Sequence, residues 1–389
     1  MEKIMKKKWI SVLALMGVVS MMTACGKEQT KEEVKEPVQV EQPADKKNQE
    51  KLDMIESDVY RNVRGLSLEP GSTISLIGRL NNTAYWKTLR QGAEDAVAEM
   101  NEKLGYQGSD KIRLVYSAPE EEDGIDEQVN ILDEELSRYP SALAIAAVDS
   151  AACVTQFDLA TENGIPIVAV DTKTDYHNIA SLVETDNERA AKKAANQMAD
   201  MLEGSKKVIV IAQDARSSTA IERKKAFTKQ MKDKHPDVKV VEVFHLNAAD
   251  DLKEEMYKKY GVDVENEEEK TQYTNEDVMK YILEKHPDVE GIYMTTESCA
   301  QVACEVIEQM GIEDLKVVGF DGGEAQMKRL ESGQIDGLIV QNPYGIGYAT
   351  VVASARAVLR QGNESVVDTG YVWVTADNMN DETILEQIY

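Results

Sequence analysis

The stretch Lys316-Val-Val-Gly-Phe-Asp-Gly-Gly323 limits the fold more than any other: a short, β-branched apolar run that stops at an acid and two glycines. That is the pattern of a buried parallel strand whose carboxyl end opens into a loop. Phe320 and Asp321 then stand at a strand tip, where open α/β sheets bind their ligands. Taken alone, an acid at this place also fits a plain turn. The chain repeats the arrangement, however. Glu162-Asn-Gly-Ile-Pro-Ile-Val-Ala-Val-Asp171 has the same order of parts as Gln309-Met-Gly-Ile through Val317-Val-Gly-Phe-Asp321: a helix end at Gly, an Ile, a buried strand, an acid. Upstream of each lies a further strand with an acid at its tip, Ala142 to Asp149 and Gly291 to Glu297. A repeat at this scale predicts an α/β protein of two similar, doubly wound parallel-sheet lobes whose strand tips face one another across a cleft.

The chain is long enough for two such cores: it has 389 residues, 42% of them hydrophobic and 29% charged. A net charge of −26 argues against nucleic acid and against an anionic membrane surface as partners, since both would repel it. The first residues read as a targeting segment. Lys3, Lys6, Lys7 and Lys8 form a basic region, and Trp9 to Met22 an apolar one too short to span a bilayer. Met22-Thr-Ala-Cys25 resembles the lipobox of bacterial lipoproteins, which implies a signal peptide over 1–24, a lipid on Cys25 and an exported, membrane-anchored chain. Gly26 to about Asp58 is rich in Lys, Glu, Gln and Pro, and reads as a disordered tether reaching as far as residue 71, with a short helical turn within Asp53–Leu68. Cys153, Cys299 and Cys304 have no metal-binding or redox spacing and read as small buried apolar residues.

From Ser72 onward strands alternate with amphipathic helices. The helix over Ala84–Leu104 carries Trp86, Leu89, Ala93, Ala96, Val97 and Met100 at helical spacing. Thr185-Asp186-Asn187 and Asn342-Pro343 are helix-start signals. Gly345-Ile-Gly347 is half of a dinucleotide fingerprint, but Thr350 stands where the third Gly belongs and no strand turns there, so the motif is rejected. The acidic stretch 247–273 includes Asp263-Val-Glu265-Asn-Glu267, whose alternating oxygens lack the Gly a calcium loop needs; it reads as a solvated helix surface. No metal or cofactor is expected.

Several segments, in order and spacing, carry a family resemblance: Leu80-Asn-Asn-Thr-Ala-Tyr-Trp86 with Gln91-Gly-Ala93, Gly164 to Asp171, Val183 to Asn187, Glu222-Arg223 with Ala226-Phe227, Val317 to Gly322, and Ile339-Val-Gln341. From Ser72 on, the chain resembles the type I periplasmic sugar-binding proteins, the ribose-binding-like receptors of ABC importers. The resemblance implies that Tyr85 and Trp86 sandwich a sugar ring, that Asp171, Asp321 and Gln341 bond its hydroxyls, that Arg223 reaches in from the second lobe, and that Phe320 adds a further flat wall. It departs at Thr83, Thr172 and Thr296, where the family carries an amide, a guanidinium and an amide. These three are retained as candidate ligand residues of an altered pocket. Trp86 also fits a helix's core face, and Arg223 a surface ion pair.

The expected layout is a first lobe over 72–185 and 342–370 and a second over 186–341 and 371–389, with hinge crossings near Thr185, Gln341 and Gly370. The function that follows is a monomeric, extracytoplasmic solute-binding lipoprotein that captures a pentose or hexose and delivers it to an ABC importer permease. A sensor that presents the sugar to a membrane kinase or chemoreceptor shares every feature. A glycoside hydrolase using Asp171 and Asp321 is the third reading, weakened by the scatter of the four histidines and by the lack of hydrolase motifs.

Overall fold

The computed structural model describes residues 46–389 apart from 122, 203, 205, 214, 216, 264–272 and 386. The signal peptide, Cys25, the tether up to residue 45 and most of the acidic motif at 263–267 therefore lie outside the described residues.

The chain opens with α1 (Lys46–Asp53) and then winds the first lobe: β1 (Thr73–Ile77), α2 (Ala84–Leu104), β2 (Arg113–Ser117), α3 (Ile125–Ser137), β3 (Ala142–Ile145), α4 (Val154–Glu162), β4 (Ile167–Val170) and β5 (Ser181–Glu184). The second lobe follows with α5 (Asn187–Met201), β6 (Lys206–Ala212), α6 (Ser218–Lys234), β7 (Val238–His245), α7 (Asp250–Tyr260), α8 (Asn275–Lys285), β8 (Gly291–Met294), α9 (Glu297–Met310), β9 (Lys316–Phe320), α10 (Glu324–Glu331) and β10 (Gly337–Gln341). The chain returns to the first lobe for α11 (Pro343–Val358) and β11 (Val366–Asp368). It then crosses again for β12 (Tyr371–Val374) and α12 (Glu382–Leu385).

Both sheets have six strands, ordered β11-β5-β4-β3-β1-β2 and β12-β10-β9-β8-β6-β7. Counted within each lobe this is the same doubly wound order, with the sixth strand supplied after the chain has left and returned. That sixth strand is parallel in the first lobe, where β11 pairs with β5, and antiparallel in the second, where β12 pairs with β10. The inner strands are buried along their whole length, so each sheet needs helices on both faces, and apolar clusters fill both. At the reversal of strand order in the first lobe, Gln128 on α3 donates to the carbonyls of Gly78 and Ala146 (2.9 and 3.0 Å) and accepts from the amide of Val148 (2.7 Å). It thereby pairs backbone groups that the parting strands leave open.

Residues 46–71 correct the expectation of a tether. Leu52, Ile55, Tyr60, Val63, Leu66 and Leu68 are buried in the core of the first lobe. Six apolar side chains spaced through a charged segment supply enough contact area to hold it in place, although the average composition reads as disordered. Bonds to the backbone add direction: Asn342 Nδ2 donates to the Lys51 carbonyl (2.7 Å), and the Glu56 N–H to that of Asp368 (2.9 Å). The acidic stretch forms a helix where it is described, α7, which buries Leu252, Met256 and Tyr257 on its inner face.

Gly347 serves helix packing. A Cβ there would stand 1.8 Å from the Leu89 carbonyl oxygen of α2, and one at Gly92 would stand 2.0 Å from that of Tyr344. Alanine normally favours a helix interior over glycine by about 1 kcal/mol. Gly347→Ala is nonetheless expected to lose about 1–3 kcal/mol through overpacking, read as a lower urea midpoint at unchanged slope. A raised midpoint would show that α2 and α11 do not meet this closely.

Candidate functional site

The two acids of the repeat take the same conformation. Asp171 and Asp321 are left-handed, with φ of 59° and 78°, a region that non-glycine residues seldom occupy and in which Asp is enriched. Each amide still donates to the adjacent strand at 2.8 Å, Asp171 to Val183 and Asp321 to Ile339. The turn therefore bends the side chain off the sheet without breaking the strand pairing. Both carboxylates line one cavity of about 120 Å³ between the facing strand tips, with Tyr85 and Trp86 from the first lobe and Arg223, Thr296 and Gln341 from the second.

Each group is held. Tyr85 donates its phenol to Asp171 Oδ1 and meets the Trp86 ring edge-on, with centroids 5.3 Å apart. Burial, with the Asp171 charge beside it, pushes the Tyr85 phenol well above its ordinary range. Gln341 Nε2 donates to Asp321 Oδ1 (2.7 Å), and the first amide of α9, Glu297 N, donates to Asp321 Oδ2 (3.2 Å). Burial raises the Asp321 carboxyl above its ordinary value, against the lowering effect of the Arg223 guanidinium. Arg223 donates Nε to Asn187 Oδ1 and Nη1 to the Thr295 carbonyl, both at 2.8 Å.

Two sequence candidates do not reach the cavity. Phe320 is fully buried in the second lobe's core, and the Arg223 guanidinium lies 3.9 Å over its ring. Its role is a cation–π platform beneath the arginine rather than a wall for a ligand. Strand alternation explains the misreading: Phe320 shares a face with Val318, toward the core, while Asp321 turns off the end. Thr172 is buried beside Asp171 and borders a neighbouring hollow with Lys173, Ser217 and Glu222. Thr83 and Thr296 do line the cavity. Each also caps a helix that starts there, accepting from Trp86 N and Cys299 N. The buried thiols of Cys153, Cys299 and Cys304 are each pushed up to about 11 by desolvation.

Four residues join the site beyond the sequence candidates, Glu297 having been read only as a strand-tip acid. Glu297 and Gln213 line the second-lobe side, and Tyr389 touches Asp321 and Tyr85 from behind. Arg79 is the fourth, 6% exposed, and its Nη1 reaches across to Ser217 Oγ at 3.3 Å. Its Nε is buried without a hydrogen-bond partner among the described residues, as is Gln341 Oε1. A charged residue two positions past a buried strand was the available signal for Arg79.

The lobes also meet at the rim. Lys173 pairs with Glu222 and lies 3.6 Å from Glu184; its amide donates to Ser218 Oγ (3.0 Å). Desolvation pushes buried Glu184 up to about 8, with Lys173 opposing and Glu222 and Asp171 reinforcing the rise.

A sheet pair in this order, joined by three crossings and meeting at a polar cavity between strand tips, defines a two-lobed, hinge-type ligand-binding protein. The chain belongs to the periplasmic binding protein family: the family's "Periplasmic binding protein domain" matches residues 73–363. Its fold places it in the type I class, so the resemblance read from the sequence holds at the level of family and fold. Among similar proteins is the ribose import binding protein RbsB of Bacillus subtilis, 24% identical over 275 residues, which spans 71% of this chain and 78% of that one. A carbohydrate transporter solute binding protein from Agrobacterium radiobacter, solved in complex with D-arabinose, superposes with a TM-score of 0.66 at 25% identity, over 82% of this chain and 99% of that one. An ABC transporter solute binding protein from Agrobacterium vitis gives 0.68 at 22% identity, covering 82% and 100%, and shares the fold.

The raised Glu184 carboxyl gives a signed pH dependence. The folded state holds the Glu184 proton from the ordinary value of 4.5 up to about 8, whereas the unfolded state has released it. Stability is therefore lost as pH rises through that window. Glu184→Gln should match the wild-type melting temperature near pH 4.5 and exceed it increasingly toward pH 8, in parallel melts by circular dichroism. A constant difference across the range would mean that Glu184 is ionised in the folded protein throughout.

Proposed function

We propose that this protein is an extracytoplasmic solute receptor that takes a small sugar into the interlobe cavity, closes on it, and delivers it to an ABC importer permease. One observation carries the choice of ligand class: a buried donor, Arg79 Nε, and a buried acceptor, Gln341 Oε1, both unpartnered among the described residues, belong to side chains that line the same space. A hydroxyl is both donor and acceptor, so a polyhydroxylated ring can satisfy both, and the Tyr85 and Trp86 rings supply flat surface for its C–H faces. Relatives named for ribose import and solved with D-arabinose favour the same class. Thr83, Tyr85, Trp86, Asp171, Arg223, Thr296, Asp321 and Gln341 are the proposed ligand contacts, with Arg79 added to them. Phe320 and Thr172 act one layer behind, beneath Arg223 and beside Asp171. Cys25 carries the lipid that keeps the receptor at the membrane, and the protein works as a monomer.

The carboxylates act as fixed acceptors rather than as an acid and a nucleophile. Asp171 is bonded to Tyr85, and Asp321 to Gln341 and to a helix amide. This arrangement suits orientation of a ligand and supports no hydrolysis. A sensor output is favoured by one feature of its own: the segment leading from the membrane side is bonded to the hinge crossings at Asn342 and Asp368, so closure would be felt there. Co-purification with a permease or with a kinase ectodomain separates the two outputs.

A thermal-shift panel of pentoses, hexoses and their alditols tests the ligand class. A binder present at 100 times its Kd adds about 2.7 kcal/mol to stability, and Arg79→Ala or Asp321→Asn should weaken it at least about tenfold, since each leaves buried polar groups unpaired. A panel with no stabilising sugar would overturn the reading.

A further inference from the structure

We propose that Tyr389 is a specificity-determining residue of the interlobe site, positioning Asp321 and Tyr85 so that the cavity takes a pentose-sized ring and rejects a hexose. This rests on the sugar-binding reading above. Tyr389 follows α12 in a segment that is docked rather than loose. Ile384, Ile388 and Tyr389 pack on the second lobe's core, and Gln387 is buried. The preceding turn is tied by Asn378, which donates to the Trp373 carbonyl (3.0 Å) and accepts from Thr375 N (2.8 Å).

From this base the phenol reaches the site. The Gly322 amide donates to its oxygen at 3.2 Å, its hydroxyl donates to Asp321 Oδ1 at 3.4 Å, and its ring meets Tyr85 of the opposite lobe edge-on, with centroids 5.6 Å apart. A carboxylate offers about four acceptor positions. Gln341 and Tyr389 use two on Oδ1, and Glu297 N uses one on Oδ2. What is left can accept from one ligand hydroxyl; without the phenol, two neighbouring hydroxyls could be taken. Volume points the same way. A cavity of roughly 150 Å³ takes a single benzene ring, so the 120 Å³ here is at the small end for any sugar. The Tyr389 ring backs two of the groups that bound it and prevents their retreat from a larger ligand.

The experiment measures, by calorimetry on the purified full chain, the affinity ratio between the best pentose and its homologous hexose for wild type, Tyr389→Ala and Tyr389→Phe. In Tyr389→Ala the ratio should fall at least about tenfold, the size of one lost polar contact plus opened space. Tyr389→Phe keeps the ring but frees an acceptor position on Asp321, so the ratio should fall by less than in Tyr389→Ala. Equal loss for both sugars would assign Tyr389 a purely structural role, and a uniform gain would make it a competitor for the site; either overturns the inference while leaving the receptor reading intact. A wild-type protein that binds no sugar would sink both.

Discussion

The left-handed turn at Asp171 and at Asp321 is the constraint on which the site depends. A residue in that conformation costs of order 1 kcal/mol or more, and is retained where the surroundings fix it. Here each amide remains in the sheet, bonded at 2.8 Å to the next strand, so the backbone cannot relax without giving up a buried hydrogen bond. The two lobes share this device because they share a strand order, in which the residue after the fourth strand abuts the fifth. The outcome is a pair of acids whose orientation is set by backbone rather than by rotamer. Tyr85, Gln341 and the α9 amide are arranged around them.

Charge buried within the second lobe is the second layer. Arg223 is stabilised on three sides, by Asn187, by the Thr295 carbonyl and by the face of Phe320, and faces the raised Asp321 carboxyl. A buried guanidinium with this many fixed partners has little freedom to adapt, and that suits recognition of one geometry. The contacts of Lys173 with Glu222 at the rim and of Arg79 with Ser217 further in are different in kind. They join side chains of opposite lobes, so opening the cleft would break them. Lys173 and Glu222 are partly exposed, so their pairing contributes little to stability and leaves opening easy.

The repeat, the alternation of strands and helices, and the carboxylates at strand tips were legible because each rests on local pattern: apolar runs of fixed length, a helix-ending glycine, an acid. Faces were less legible. Phe320 and Asp321 are adjacent in sequence, yet one enters the core and the other the cleft, a difference set by where the strand stops. The segment over 46–71 failed on averaging, since six apolar anchors are diluted by charged neighbours that stay in solvent. Tyr389 carried no local signal, since its place in the site depends on a return path through a turn at Asn378 and on β12 running antiparallel to β10. Arg79 could have been found, as a charge directly after a buried strand and its glycine.

The three threonine departures acquire a physical meaning from their positions. Thr83 and Thr296 each spend their hydroxyl as a helix cap, so the first turns of α2 and α9 begin at the cavity wall with their backbone dipoles directed inward. A longer amide at either place would reach further into the cavity, whereas the short hydroxyl caps its helix and still lines the wall. Under the proposed function, recognition would shift from side-chain amides to the two arginines and the helix amides as donors, with Asp171, Asp321 and Gln341 as acceptors. One of those helix amides, Glu297 N, is already given to Asp321, and Arg79 Nε is a buried donor without a partner among the described residues. In the receptor proposed above, a sugar would place an acceptor against Arg79 in one lobe and a donor against Gln341 in the other. Satisfying both at once would require closed lobes, and binding would then be coupled to closure.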